Sequence, residues 1–371
     1  MACFSKALAA HEPKADLLVA QGLTLHELGE IDAAKHCFLH ALRLEPNHLE
    51  AKFCLALTVL LMGDLRQGMP LYEHRLKRPA WSEPPELEAV PRWSRPGKTP
   101  GGVMLVLAEQ GLGDTLNFCC FAQLLAAQGQ RIVFKVQPTL KTLLTSALRD
   151  VAVTDCLLGL PSLSAWAPLM SLPYLMGLDS LAAVRGSISH VKAWPSALGS
   201  PSCSQSLRAD RVRAYRSSGA LCVGIVWSGS PNHDKDRLRS ISFRQFKDAL
   251  PEGPNYVCLQ PEFRHHDLAS VEAFTMLRFE GELKDFADTA ALIRCLDLVI
   301  SVDSAVAHLA GVLRVPVWIL LPIGPDWRWQ LGSSKTLWYE HAKLYRQIEF
   351  DDWSHPLAAV RQDLHALIQG R

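Results

Sequence analysis

The sequence has no excess of charge of either sign. Its formal net charge is +1 and no run of Lys or Arg forms a tract, so nothing in it calls for a nucleic-acid partner. No C-x-x-C pair occurs among its ten cysteines, which are scattered from Cys3 to Cys295 through mostly apolar stretches. That pattern excludes a disulfide framework and a spaced zinc site, and reads as reduced thiols in a cytoplasmic protein. No secretory leader is expected at the start of the sequence either. Residues 7–10 are too short an apolar stretch, and Glu12, Lys14 and Asp16 follow at once. There is no membrane span. The most apolar region, 296–321, is broken by Asp297, Asp303, His308 and Arg314 and reads as buried core. Nor does a G-x-G-x-x-G follow any strand-like run, which argues against a nicotinamide-dependent oxidoreductase.

What is present is a globular composition. The chain has 371 residues, 49% apolar and 20% charged, enough for two or three domains around a large core.

Residues 1–78 read as a helical repeat module. Gly29 and Gly63, Phe38 and Tyr72, and Gly22 and Ala56 all stand 34 residues apart, the period of tetratricopeptide repeats. Leu18, Gly22, Leu25 and Gly29 fall on one face of the first helix. Ala34, Phe38 and Ala41 fall on one face of the second, and Pro46 closes the repeat. The second repeat is looser: Gly68 keeps the small residue, but Arg75 stands where Ala41 stood. Two repeats are fewer than such modules need to stand alone, so this one is expected to pack on the next domain. A protein partner of the repeats would be sought around Leu18 and Leu25. Residues 79–100 hold six prolines and no apolar periodicity, and read as a linker or wrapping segment.

Beyond residue 100 apolar strand-like runs alternate with helices. One series occupies 101–218 and starts with the run 103–108. A second occupies 219–371 and includes runs at 221–227, 256–260, 296–302 and 317–321. Two alternating series imply an α/β fold with two Rossmann-like, doubly wound lobes and a cleft between them.

Ligands of such sheets bind beyond the carboxyl ends of the strands, which singles out three loops. In Glu109-Gln110-Gly111-Leu112-Gly113-Asp114 the glycines admit a close ligand, and Asp114 stands at a helix start, where it reads equally as a cap. In 228–240, Ser228, Gly229, Lys235, Arg237 and Arg239 suit a diphosphate or an ordinary solvated loop. Asp234-Lys235-Asp236 there matches a metal-binding D-x-D literally, but the flanking cations would compete for its carboxylates. In 302–308 a buried strand delivers Asp303 to the sheet edge, and the helix that starts at once offers free N–H groups to an anion. Ser304 and His308 share a face of that helix.

Together these loops resemble the heptosyltransferase-like glycosyltransferases of family 9, and in particular bacterial proteins that fuse tetratricopeptide repeats to such a domain. The matching text is Glu109-Gln110-Gly111-Leu112-Gly113-Asp114-Thr115, Gly224-Ile225-Val226-Trp227-Ser228-Gly229 with Asp236-Arg237-Leu238-Arg239-Ser240, Asp303-Ser304-Ala305-Val306-Ala307-His308-Leu309-Ala310-Gly311, and Pro325-Asp326-Trp327-Arg328-Trp329. The resemblance implies a GT-B fold and an inverting, metal-independent hexosyl or heptosyl transfer from a nucleotide-diphosphate sugar, with no other cofactor. It implies Asp114 as general base. Gly111, Gly113, Ser228, Gly229, Lys235, Arg237, Arg239, Gln260, Asp303, Ser304, Ala305 and His308 would bind the donor. The acceptor would be a glycan, a lipid-linked sugar or a protein. Two positions depart from the pattern: Cys119-Cys120 stand where an arginine is expected, and Pro261-Glu262 where a lysine is expected. Both remove positive charge, and they motivate a second reading as a catalytically degenerate scaffold that binds proteins through its repeats.

Overall fold

The computed structural model describes residues 14–190, 203–216 and 219–370. The stretch expected to lack a leader signal, 7–10, lies outside them, as do parts of the 152–218 region. No helix among the described residues is long and apolar enough to cross a membrane.

Four helices come first: α1 (Ala15–Glu27), α2 (Ile31–Leu44), α3 (Leu49–Leu61) and α4 (Leu65–Tyr72). The 34-residue interval maps onto equivalent places of the two helix pairs. Gly29 and Gly63 both turn the chain at positive φ, +80° and +88°, a conformation that costs glycine little. Gly29 therefore lies past the end of α1 and not on its face. Gly22 lets the Phe38 ring approach so closely that a Cβ there would stand 2.5 Å from it. Leu18 and Leu25 are buried in this small core. The apolar side chains left exposed on the helices are instead Leu23, Leu39 and Leu44.

The proline-rich segment wraps the first sheet. Leu87 enters a small core with Leu105, Leu107, Val133 and Trp166, and Trp93 donates its backbone N–H to Trp166.

Two parallel sheets follow. The first has the order β3-β2-β1-β4, from β1 (Val103–Leu107), β2 (Arg131–Lys135), β3 (Val151–Thr154) and β4 (Ala165–Pro168). Its helices include α5 (Leu112–Ala127), α6 (Pro138–Ala147) and α7 (Leu181–His190), whereas α8 (Cys203–Tyr215) packs toward the second sheet unit, pairing Arg208 with Asp288 and Arg211 with Glu282. The second sheet has the order β6-β5-β7-β8-β9, from β5 (Cys222–Val226), β6 (Asn255–Cys258), β7 (Leu298–Val302), β8 (Val317–Leu321) and β9 (Ala342–Arg346). Helices α9 (Phe286–Ile293), α10 (Ala305–Val312) and α11 (Ser354–Gln369) belong with it. Strands β5 and β7 are buried along their whole length, as parallel strands covered on both faces must be.

The boundary between the sheets is packed. Helix α5 lies against α10, and one apolar core runs from Ile31 of the helices through Phe118 and Phe121 to Leu309 and Trp338. The helical module packs on both sheet units. Arg75, just after α4, is buried and pairs with Glu109 beyond β1 at 2.8 Å. On the other side the last turn of α1 presses on the loop after β8: a Cβ on Gly324 would collide with the His26 carbonyl oxygen.

Candidate active site

Each sheet reverses its strand order once, beside β1 in the first and beside β5 in the second. A ligand crevice opens where the connections on either side of such a reversal diverge. The loops that leave β1, β5 and β7 at these points are the three that the sequence singled out.

Helix α5 begins earlier than its sequence predicts. Leu112, Gly113 and Asp114 form its first turn and Gly111 is the N-cap. Asp114 is thus at the third helical position, where its Oδ2 accepts the Gly111 N–H at 2.9 Å, the one half of a capping box that a glycine N-cap allows. Its Oδ1 accepts from Arg328 Nη1, across the boundary from the loop after β8. Gly113 is glycine for a reason of space: a Cβ would lie 2.8 Å from His308 Cδ2.

Ser304 caps α10, accepting the Ala307 N–H at 3.4 Å and bonding Ser301 at 2.9 Å. Ala305 opens the helix within 3.5 Å of the same Gly113 position. His308 is 2% exposed, with its ring stacked on Trp329 at 5.1 Å. Asn117 donates to Tyr339 Oη at 2.8 Å, and Tyr339 Oη lies 2.7 Å from His308 Nδ1. With Tyr339 donating to Nδ1, the imidazole proton sits on Nε2, 3.9 Å from Asp303 Oδ1. Burial, then Arg328 and Arg239, hold His308 well below the usual imidazole range, so the ring is neutral. Burial, reinforced by Asp326 and opposed by Arg239 and Arg328, raises Asp303 to about 6.

The loop after β5 is braced internally. Gln260 accepts the Ser228 N–H at 3.1 Å and donates to Ser228 Oγ at 2.7 Å, so it holds the loop rather than facing outward. Gly229 bonds Ser240 at 2.9 Å and leaves room for the Arg239 guanidinium. Arg239 donates to the Asp303 carbonyl at 3.0 Å. Asp236 is taken up by Arg264 and by Ser240, the latter at 2.7 Å. Arg237 turns the other way, to 3.9 Å from Glu27 of α1, and Lys235 acts electrostatically on His26 and Cys54 of the helical module.

The fold therefore brings Asp114, Gly113, Asp303, Ser304, Ala305, His308 and Arg239 to one place, while Lys235 and Arg237 face the helices. Three residues without an assigned role join them. Arg328 and Asp326 lie 3.0 Å apart, and His233, exposed to solvent, is within electrostatic reach of Asp114 and Asp326. An arginine between two tryptophans, Trp327 and Trp329, was the available signal for a buried cation. Three carboxylates and two guanidiniums thus face one another at the start of two helices. Such a site can take an anion at the N–H groups of α10 by letting the guanidiniums exchange carboxylate for ligand oxygens.

No known protein-family profile matches the chain. It is 26% identical over 365 residues to protein FlbA of Caulobacter vibrioides, an alignment covering 90% of this chain and 58% of FlbA. The chain thus spans less than two thirds of that curated relative. Among solved structures it aligns with a glycosyl transferase family 9 protein of Veillonella parvula at 10% identity and a TM-score of 0.46, over 75% of this chain and 100% of that one. It aligns with the ADP-heptose heptosyltransferase II of Escherichia coli at 13% identity and a TM-score of 0.46, over 72% and 99%. For an O-GlcNAc transferase mutant of Thermobaculum terrenum the values are 14% and 0.24, over 91% and 57%.

Proposed function

We propose that the chain is a glycosyltransferase of the GT-B type. It would move a sugar from a nucleotide-diphosphate donor to a hydroxyl acceptor with inversion at the anomeric carbon. The observation that carries this reading is the meeting of Asp114, from the first sheet unit, with the start of α10, Arg239 and Arg328, from the second. In this reaction the acceptor hydroxyl gives its proton to Asp114 as its oxygen bonds to the anomeric carbon. The bond from that carbon to the diphosphate breaks, and the electron pair leaves with the nucleotide. A positioned base contributes about 10²–10⁴ in rate. The charge gathering on the diphosphate is met by the α10 N–H groups, Arg239 and Arg328, each such preorganised donor being worth roughly 10²–10³. Arg328 would exchange Asp114 for the phosphate, freeing the base as the donor arrives. The two helix pairs fit tetratricopeptide repeats and would hold a protein or glycan acceptor.

The test is thermal shift of the whole chain with a panel of nucleoside diphosphates. Stabilisation by at least one is expected, and none from any of them counts against the reading. A second reading, a non-catalytic scaffold binding proteins through its helices, draws on the fact that both oxygens of Asp114 are engaged. It predicts no turnover with any donor and a captured partner lost on mutating exposed Leu23 and Leu39.

A further inference from the structure

A cavity of about 550 Å³ lies on the far side of the α5–α10 contact from Asp114, between α5, α7, the end of α10 and the 335–342 segment. That volume is in the range of small-molecule sites. Ile188, Val312, Leu337 and Cys120 give it apolar walls. Asn117 also lines it. This residue is 3% exposed. Its amide nitrogen is committed to Tyr339, and its buried carbonyl oxygen has no donor. A buried acceptor left unpaired is destabilising, so the floor of the cavity is incomplete without a ligand that brings a hydroxyl or amide proton. The exposed rim carries Arg185 and Lys335, neither of which has a carboxylate partner among the described residues. Arg314, by contrast, is paired with Glu340.

We infer that this cavity is a second ligand site, separate from the Asp114 site, for an anionic amphiphile: an acidic head at Arg185 and Lys335, an apolar body along Ile188 and Leu337, and a hydrogen-bond donor at the inner end for Asn117 Oδ1. The three features match three parts of one molecule, and no single part accounts for the other two. A free inorganic anion would use only the rim, and a plain hydrocarbon only the walls. A ligand seated here bonds Asn117, which bonds Tyr339, which bonds His308.

The probe is ω-hydroxylaurate below its micellar concentration, titrated calorimetrically into the full chain. One-to-one binding is expected. Laurate, which lacks the hydroxyl, should bind roughly fivefold more weakly, and inorganic phosphate should give no saturable heat. The double variant Arg185→Glu/Lys335→Glu, at exposed positions, should lose about tenfold in affinity, and Cys120→Phe, which fills the cavity, should abolish binding. Absence of saturable binding, affinity unchanged by the charge reversal, or phosphate binding as tightly as ω-hydroxylaurate each overturns the inference. If Cys120→Phe does not fold, the charge reversal and the comparison with laurate still decide.

Discussion

Arg328, in the turn after β8, donates to the carboxylate of Asp114 in the first turn of α5, so a cation of one sheet unit closes on an anion of the other. Both are largely buried, with side-chain exposures of 10% and 16%. A buried pair of this kind adds little over an apolar contact, but removing one partner strands the other. Arg328→Met leaves Asp114, Asp326 and Asp303 facing one another without their shared guanidinium. A loss of about 3–5 kcal/mol is expected by denaturant titration. Adding Asp114→Asn to that variant should restore part of the loss, and strict additivity would show that the pair is not coupled.

Asp114→Asn alone keeps the side-chain shape and the bond from the Gly111 N–H but cannot take a proton. Once a donor is known, turnover should fall by about 10²–10⁴ while nucleoside diphosphate affinity is kept. Turnover near the parent level would sink the base assignment.

Gly113→Ala drives a methyl group into His308 and toward Ala305. Neither the imidazole, clamped by Trp329 and Tyr339, nor the α10 backbone can yield cheaply. A destabilisation of about 1–3 kcal/mol is expected, together with weaker nucleotide binding. Unchanged melting and binding would mean that the two helix starts are looser than their contacts imply.

Much of this arrangement is legible in the sequence, because buried parallel strands are continuous apolar runs. β1, β5, β7 and β8 stand where those runs stand, within a residue or two at the ends. β9 is not legible: Ala342-Lys343-Leu344-Tyr345-Arg346 carries two cations, tolerable only because it is an edge strand with an exposed face. β3 and β4 hide for a similar reason, being four residues each. At the site, the glycine and aspartate loops announce themselves by position on strand ends. The direction of Arg239 inward and Arg237 outward is set by a single helical turn, Asp236–Arg239, which no periodicity over so short a stretch reveals. Arg328 finds Asp114 from 214 positions away, a contact made only by tertiary packing.

Asp303 and His308 give opposite pH signatures. Asp303 is raised to about 6 by burial and Asp326. Its folded form therefore binds more protons than the unfolded chain, and its contribution is present below about pH 4 and lost as pH rises through about 6. His308 is lowered by burial and then by Arg328 and Arg239, so its contribution is present above the ordinary imidazole value and lost as pH falls below it. Asp303→Asn should remove the first slope and leave the second. Denaturant stability measured from pH 4 to 7 checks this: parallel curves for parent and variant between pH 4 and 6 would contradict the shift.

Gly324→Ala places a methyl group against the His26 carbonyl, and the atoms it meets are all helix backbone, with no flexible side chain to give way. The helical module should detach locally from the second sheet unit. Limited proteolysis is expected to cut sooner near α1 in the variant, and an unchanged cleavage pattern would show that the contact is dispensable.

The Arg75–Glu109 pair ties the helices to the first sheet unit, the Gly324 contact ties them to the second, and α5 against α10 ties the sheet units to each other. Two bodies joined at one seam can swing; three bodies each fastened to the other two form a closed triangle, and a triangle does not flex without loosening a side. A strain on the helical module is therefore shared with the α5–α10 seam, beside which Asp114 stands.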